Sequence, residues 1–179
     1  RKELAPFLLI DGRTVGINPQ ADIWLDSAQF NQQIENNQLD SALALYQGDF
    51  LAGFFLRDAP EFENWALIER ERLRFKAIEG LKIQIARLQE QAAYWDALDA
   101  VNKLLGIEPF LEEVHRTKMR LLIRTGQRAR ALQQYQIVVD LFAEELGVAV
   151  TPQPTALYER INNLVTPPPH NLPAPTDQF

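Results

Sequence analysis

From residue 26 to Ile161 the apolar positions of this chain recur three and four residues apart, the spacing of one face of an α-helix. Asp26-Ser27-Ala28-Gln29 reads as a capping box that opens a first helix running to about Asn36. After Asn37, the positions Leu39, Ala42, Leu43 and Tyr46 mark the apolar face of a second helix. Gly48 and Gly53 then flank Asp49-Phe50-Leu51-Ala52, whose lack of period predicts a compact loop with aromatic anchors. Asp58-Ala59-Pro60-Glu61 is a second capping box, with Pro60 in a first turn where its missing N–H costs nothing. Phe62, Trp65, Ile68, Ala77, Ile78, Leu81, Ile85 and Leu88 carry the long helix that follows to about Ala92. Three shorter helices are predicted next: Tyr94 to Leu105 stopped by Gly106, Glu112 to Arg124 stopped by Gly126, and Arg128 to Leu146 stopped by Gly147. Thr151-Pro152 opens a last helix through Leu157, Tyr158 and Ile161, which Thr166-Pro167-Pro168-Pro169 terminates.

The N-terminal stretch has a different pattern. Phe7 to Ile10 and Arg13 to Ile17 are β-prone runs around Asp11-Gly12, the pair that favours a tight hairpin turn. A lone hairpin is marginal in water, so these strands are expected to lean on the helices or on another piece of protein.

Part of the helical pattern repeats. Asp96-Ala97-Leu98 returns as Arg130-Ala131-Leu132 at an offset of 34 residues, the period of the tetratricopeptide helical hairpin, and Ser41-Ala42-Leu43 is an earlier echo at an offset of 55. In this register Ala92 is equivalent to Gly126 and Val101 to Tyr135, while the small Ala97 and Ala131 fall where two helices of one hairpin approach closely. The predicted fold is all-α: stacked tetratricopeptide-like helical hairpins with a small N-terminal β-hairpin. The alternative is an irregular helical bundle. Stacked repeats bury their apolar faces against neighbours and leave a concave groove suited to peptides or other domains.

Composition narrows the function. Hydrophobic residues make up 46% and charged residues 23%, values that support a packed core rather than disorder. The net charge of −6 argues against a free-standing nucleic-acid binder, which needs a basic surface to neutralise phosphates. With no cysteine there is no thiol nucleophile, disulfide or cysteine-held metal. His115 and His170 are too far apart for a metal motif, and His115 falls at an inward repeat position. Ser27 and Ser41 are the only serines and neither sits in a G-x-S-x-G turn. The adjacent pairs Glu112-Glu113 and Glu144-Glu145 diverge by about 100° on a helix instead of converging on a substrate. No catalysis and no cofactor are expected. No apolar run approaches the roughly 20 residues of a membrane span, and a cytoplasmic location without membrane contact is expected. The opening residues, without Met, are read as the start of a piece of a longer chain.

Several stretches, in order and spacing, resemble one known module. They are Tyr46-Gln47-Gly48-Asp49-Phe50-Leu51-Ala52-Gly53-Phe54, Trp65 with Glu69-Arg70-Glu71-Arg72-Leu73, and His115-Arg116 with Met119. To these belong Gly126-Gln127-Arg128 with Ala131-Leu132-Gln133-Gln134-Tyr135, and Glu145-Leu146-Gly147-Val148 followed by Pro152, Leu157 and Tyr158. Over about residues 26 to 163 the chain resembles the bacterial transcriptional activator domain of the antibiotic-regulatory-protein type of activators and of their large ATP-dependent relatives. The resemblance implies a winged helix-turn-helix that binds DNA, followed by a tetratricopeptide-like domain that packs on it and communicates with RNA polymerase or other transcription machinery. It divides the chain into residues 1–25, the hairpin as the wing of a truncated DNA reader; 26–165, the activator domain; and 166–179, a proline-rich linker. Only Arg1 to Pro6 precede the hairpin, so the recognition helix is missing and DNA contact is expected only through a missing N-terminal domain. His170-Asn171-Leu172-Pro173-Ala174-Pro175 and Phe179 resemble the approach to a nucleotide-binding ATPase domain, although no P-loop occurs in the chain.

Two residue groups are the candidate working surfaces. Arg116, Lys118, Arg120, Arg124, Arg128 and Arg130 gather six of the 18 basic residues. They form either a solvated face or an electrostatic patch for DNA backbone or an acidic polymerase surface. Phe50, Phe54, Phe55, Phe62 and Trp65 cluster around the loop and the long helix, as core and seat for the winged domain or as a pocket for a peptide or small ligand. The function expected is a non-catalytic coupling module of a bacterial transcriptional activator. The rivals are a free-standing peptide-binding scaffold and an arm of a signalling ATPase.

Overall fold

The computed structural model describes residues 6–11 and 14–164. The Gly12 turn position, His170 and the linker expected over 166–179 lie outside the described residues. Two antiparallel strands, β1 (Leu8–Asp11) and β2 (Thr14–Ile17), precede seven helices: α1 (Asp26–Glu35), α2 (Leu39–Leu45), α3 (Pro60–Glu90), α4 (Tyr94–Ile107), α5 (Glu112–Arg124), α6 (Arg128–Leu146) and α7 (Pro152–Asn162). The fold is all-α with a small N-terminal hairpin. The chain divides between Gln84 and Ile85 into two compact units.

In the first unit the hairpin ladder pairs Leu8 with Ile17 and Asp11 with Thr14, so Asp11 closes β1 instead of standing in the turn. The helices pack around Phe30, Leu39, Ala42, Leu43, Leu73 and Ala77, all buried. Gly80 lets α3 approach α1 and α2: a Cβ there would meet Leu43 at 3.4 Å, Ile34 at 3.6 Å and Leu39 at 3.7 Å. Polar contacts join the same elements, with Lys76 Nζ donating to Asn31 Oδ1 at 2.6 Å and Gln84 Nε2 to Asp40 Oδ1 at 2.6 Å.

In the second unit α5 packs against α4, α6 and α7, and α6 also against α7. Its core is Val101, Leu104, Met119, Leu121 and Val138, each at most 1% exposed. The last helix is held at both ends by side chains from other helices. At its start the Glu112 carboxylate of α5 accepts the Thr151 N–H at 2.9 Å and also the Thr151 hydroxyl. At its end Arg128 of α6 donates from Nε to the Ile161 carbonyl at 3.1 Å, which also accepts the Leu164 N–H at 3.2 Å, and from Nη2 to the Asn162 carbonyl at 2.8 Å, supplying donors to the last carbonyls of the helix. Between these ends Tyr135 stacks on Tyr158 with centroids 4.4 Å apart and shares a 3.1 Å hydrogen bond with Thr155.

The repeat is written into three turns. Asn37, Ala92 and Gly126 all adopt positive φ, at 58°, 56° and 75°. At each turn the next residue's N–H reaches back to the carbonyl five positions earlier: Gln38 to Gln33 at 2.8 Å, Ala93 to Leu88 at 2.9 Å and Gln127 to Leu122 at 2.7 Å. The positive-φ residue itself bonds three positions back, to Ile34, Gln89 and Ile123. These are three Schellman closures, separated by the offsets of 55 and 34 residues. Five residues after each lies a fully buried alanine, Ala42, Ala97 or Ala131, at 0% exposure.

Three expected helix ends are corrected. Asp26 is the first residue of α1, not its cap; Leu25 holds that position without a side-chain bond, and Asp26 Oδ1 accepts the Ser27 N–H at 2.7 Å. Asp58 stands at φ 57°, outside cap geometry, while the Glu63 carboxylate accepts the Leu56 N–H at 2.8 Å and ties the preceding loop to α3. Gly106 lies inside α4, which continues to Ile107. The stop is set by Pro109, which forces Glu108 into an extended conformation at φ −134°, ψ 89°.

Candidate functional site

The loop 46–56 is built by the first of the family-like stretches. The Tyr46 hydroxyl donates to Asp49 Oδ1 at 3.1 Å, and its ring lies 5.9 Å from Phe30. Burial, reinforced by the bond to the anionic Asp49, pushes the Tyr46 phenol up to about 12. Arg70 of α3 donates from Nε to the Phe50 carbonyl at 3.0 Å, which pins the loop to the helix. A cavity of about 370 Å³ opens beside it, lined by Phe30, Tyr46, Phe50 and Leu73 among others.

Of the five candidate aromatics, four form one chain of ring contacts. Phe50 meets Trp65 edge-on at 5.7 Å, Trp65 meets Phe62 at 5.5 Å, and Phe62 meets Phe54 at 5.9 Å. Phe55 takes no part among the described ring contacts and is 69% exposed. Trp65 and Phe54 are each 50% exposed. The cluster is therefore a surface feature anchored to the loop, not the centre of a core. Trp65 also begins a row along α3: with Ile68, Phe75 and Ile83 it falls within an arc of about 80° at 100° per residue, and all four are exposed. Leu73, Ala77 and Leu81 are buried on the other side. Helix α3 is thus apolar on two faces; the sequence spacing grouped Trp65 and Ile68 with the buried positions because periodicity does not tell which face is covered.

The six candidate basic residues do not make one patch. Lys118 and Arg130 line a groove with Trp95, Asp99, Asn102 and Gln133. Burial, with Arg130 adding repulsion, holds the Lys118 ammonium below the usual lysine range. Arg120 and Arg124 project from another face of α5 into a second groove, beside Leu157 and Arg160 of α7. Arg128 is spent on the end of α7. The Arg116 Nε is buried and has no hydrogen-bond partner among the described residues. Arg160, absent from the candidate set, lines this second groove, and Glu112, also absent, holds the start of α7. The signal for both was their distance in sequence from the residues they meet, which no local pattern reports.

His115 is 4% exposed and belongs to the core of the second unit. Its Nε2 lies 2.7 Å from the Pro109 carbonyl, which can only accept, so Nε2 carries the hydrogen. Nδ1 then accepts from Gln134 Nε2 at 2.9 Å, which satisfies two buried polar side chains at once. Burial holds the imidazole below its ordinary range, against the opposing pull of the Pro109 carbonyl, and Lys118 lowers it further. Among the described residues there is no group of three or more His, Cys, Asp or Glu placed to hold a metal ion. Among them, too, no helix is long and apolar enough to cross a membrane.

The family model of the bacterial transcriptional activator domain matches residues 26–162. The chain belongs to this family. The chain is also 28% identical over 123 residues to the regulatory protein AfsR of Streptomyces griseus, an alignment that covers 69% of this chain and 12% of that protein. The chain thus spans about an eighth of the length of the curated relative it matches. The family match places residues 26–162 among the domains of bacterial transcriptional activators. The loop 46–56, the Gly126–Tyr135 segment and the α7 residues on which the resemblance rests are used in the structure for turns, clamps and packing.

Proposed function

We propose that this domain is a non-catalytic regulatory and protein-interaction module that couples an adjacent DNA-binding domain to RNA polymerase, to an ATPase switch, or to both. The observation that carries the reading is the uncovered apolar surface of the first unit. Leu9, Ile10, Val15 and Ile17 expose both faces of the hairpin, and Phe54, Phe55, Trp65, Ile68 and Phe75 are exposed in the aromatic cluster and along α3. Side chains of this size left in water in such numbers mark a contact with another folded unit. A hairpin of two strands gains its stability from further cover, which suits the wing of a DNA reader seated against this domain. The AfsR match, in which the aligned piece is a small part of a much larger regulatory protein, supports such a multidomain setting.

In this reading residues 1–25 close the DNA reader, 26–165 are the activator domain and 166–179 lead to the next domain. The aromatics Phe50, Phe54, Phe55, Phe62 and Trp65 seat the neighbour, and the divided basic residues serve partners on two separate faces. The activity is mechanical: helix packing fixes where the DNA reader sits relative to the transcription machinery. Deleting residues 26–163 from the full-length regulator, with the DNA reader kept, leaves operator binding intact by gel shift and abolishes promoter activation. Unchanged activation refutes the reading.

A further inference from the structure

The groove between α5 and α7 has an unusual makeup for a chain of net charge −6. Arg120, Ile123 and Arg124 are spaced i, i+3, i+4 on α5, and Leu157 and Arg160 are spaced i, i+3 on α7, so each helix turns one mixed face into it, and Leu164, two residues past the end of α7, adds to the lining. The cavity holds about 600 Å³. Ile123, Leu157 and Leu164 give an aliphatic floor, with Leu164 51% exposed. The three arginines are exposed at the rim, and among the described residues none has a hydrogen-bond or ion-pair partner for its side chain. Other basic residues of the same stretch are engaged: Arg128 binds the α7 carbonyls and Arg130 donates to Gln127.

Three guanidiniums brought together without an acid repel one another, and a ligand bearing carboxylates relieves that repulsion. Guanidinium is the side chain whose planar fork matches a carboxylate through two parallel hydrogen bonds. The floor then selects what the carboxylates are attached to. It has no aromatic side chain on which a nucleic-acid base would stack, and the arginines ring a pocket instead of tracking a backbone. Leucine-sized side chains fit it. We propose that the α5–α7 groove docks an acidic, leucine-bearing peptide segment of a partner protein, its carboxylates on Arg120, Arg124 and Arg160 and its aliphatic side chains on Ile123, Leu157 and Leu164. This deepens the reading of the domain as a protein-interaction module by naming the chemistry of one partner.

The test uses the 179-residue chain and a fluorescein-labelled peptide of repeated Asp-Glu-Leu-Leu units, read by fluorescence anisotropy. Binding is expected to weaken about tenfold or more in R124E with R160E, since the substitutions remove two charged donors and set carboxylates against the acids of the peptide. It weakens as well when the peptide's acids become Asn and Gln, and in Leu164→Ser, which leaves every charge in place. K118E with R130E, in the other groove, leaves it unchanged. Far-UV circular dichroism and urea midpoints equal to wild type show that these substitutions spare the fold. The proposal falls if R124E with R160E binds the peptide as wild type does. It also falls if duplex DNA displaces the peptide at lower concentration than unlabelled peptide does, or if the same substitutions abolish a concentration-dependent self-association, since the groove then belongs to nucleic acid or to a second copy. Peptide binding by the isolated chain involves no promoter, so failure here is distinct from failure of the activation experiment.

Discussion

His115 makes a quantitative test of how the second unit holds together. The imidazole is buried in its neutral form, donating to the Pro109 carbonyl and accepting from Gln134. A second proton would sit on Nδ1, facing the Gln134 amide hydrogens, in a site that water does not reach. Burial accordingly places the folded-state titration below the ordinary value of about 6.5, at which the unfolded chain takes up its proton. As pH falls through about 6.5 the unfolded state gains a proton that the folded state refuses, so the folded state loses stability. The slope is at most about 1.4 kcal/mol per pH unit for one proton, and it ends where the folded form itself titrates. Between neutral pH and about 5.5, His115 should therefore remove stability, with a ceiling of about 1.2 kcal/mol set by a folded form that takes up no proton in that range. Carboxylates elsewhere also titrate in acid, so the quantity to measure is a difference: urea unfolding at both pH values for wild type and for His115→Asn, which keeps a polar side chain but does not titrate. The variant itself costs about 1–3 kcal/mol at neutral pH for the hydrogen bonds it disturbs. Wild type should lose more stability than the variant on acidification, by at most about 1.2 kcal/mol. Equal losses refute the reasoning, as does a proton-NMR titration of His115 in the folded wild type with its midpoint at or above the free-imidazole value. The NMR result holds even if the variant proves too unstable to compare.

Other outcomes follow from single contacts. Ala92→Gly should raise stability by up to about 1 kcal/mol in urea, because alanine at φ 56° carries the left-handed penalty that glycine lacks; Gly126→Ala should lower it by about the same amount. Arg128→Lys should loosen α7, since an ammonium cannot reproduce two aligned donors to the Ile161 and Asn162 carbonyls, and amide exchange should quicken in α7 ahead of α4. Leu104→Ala should cost about 2–5 kcal/mol by leaving a cavity at a residue with 0% exposure, measured as a lower urea midpoint. The phenol that titrates near 12 by ultraviolet absorbance should be missing in Tyr46→Phe. The folded phenol holds its proton above the usual value of about 10, so the wild type loses stability between about 10 and 12 and the variant escapes that loss.

The sequence by itself determined the elements and their period. Helical spacing, the glycine and proline stops and the Asp-Gly pair are local, so seven helices and one hairpin were legible, and the offsets of 34 and 55 located three equivalent turns. Local signals erred where two of them competed: Gly106 looked like a stop, but Pro109 decided the end of α4. Only the tertiary structure decided which apolar face of α3 is covered, which side chains clamp α7 and how the basic residues divide. Arg116 to Arg130 are near one another in sequence yet serve different faces, because successive helical residues turn by about 100°. Glu112 and Thr151, or Arg124 and Arg160, are far apart in sequence and become neighbours only when α7 folds back on α5. A one-dimensional pattern fixes what each residue does to its own helix, whereas surfaces are made by helices meeting, and that depends on pairs of residues that no local spacing records.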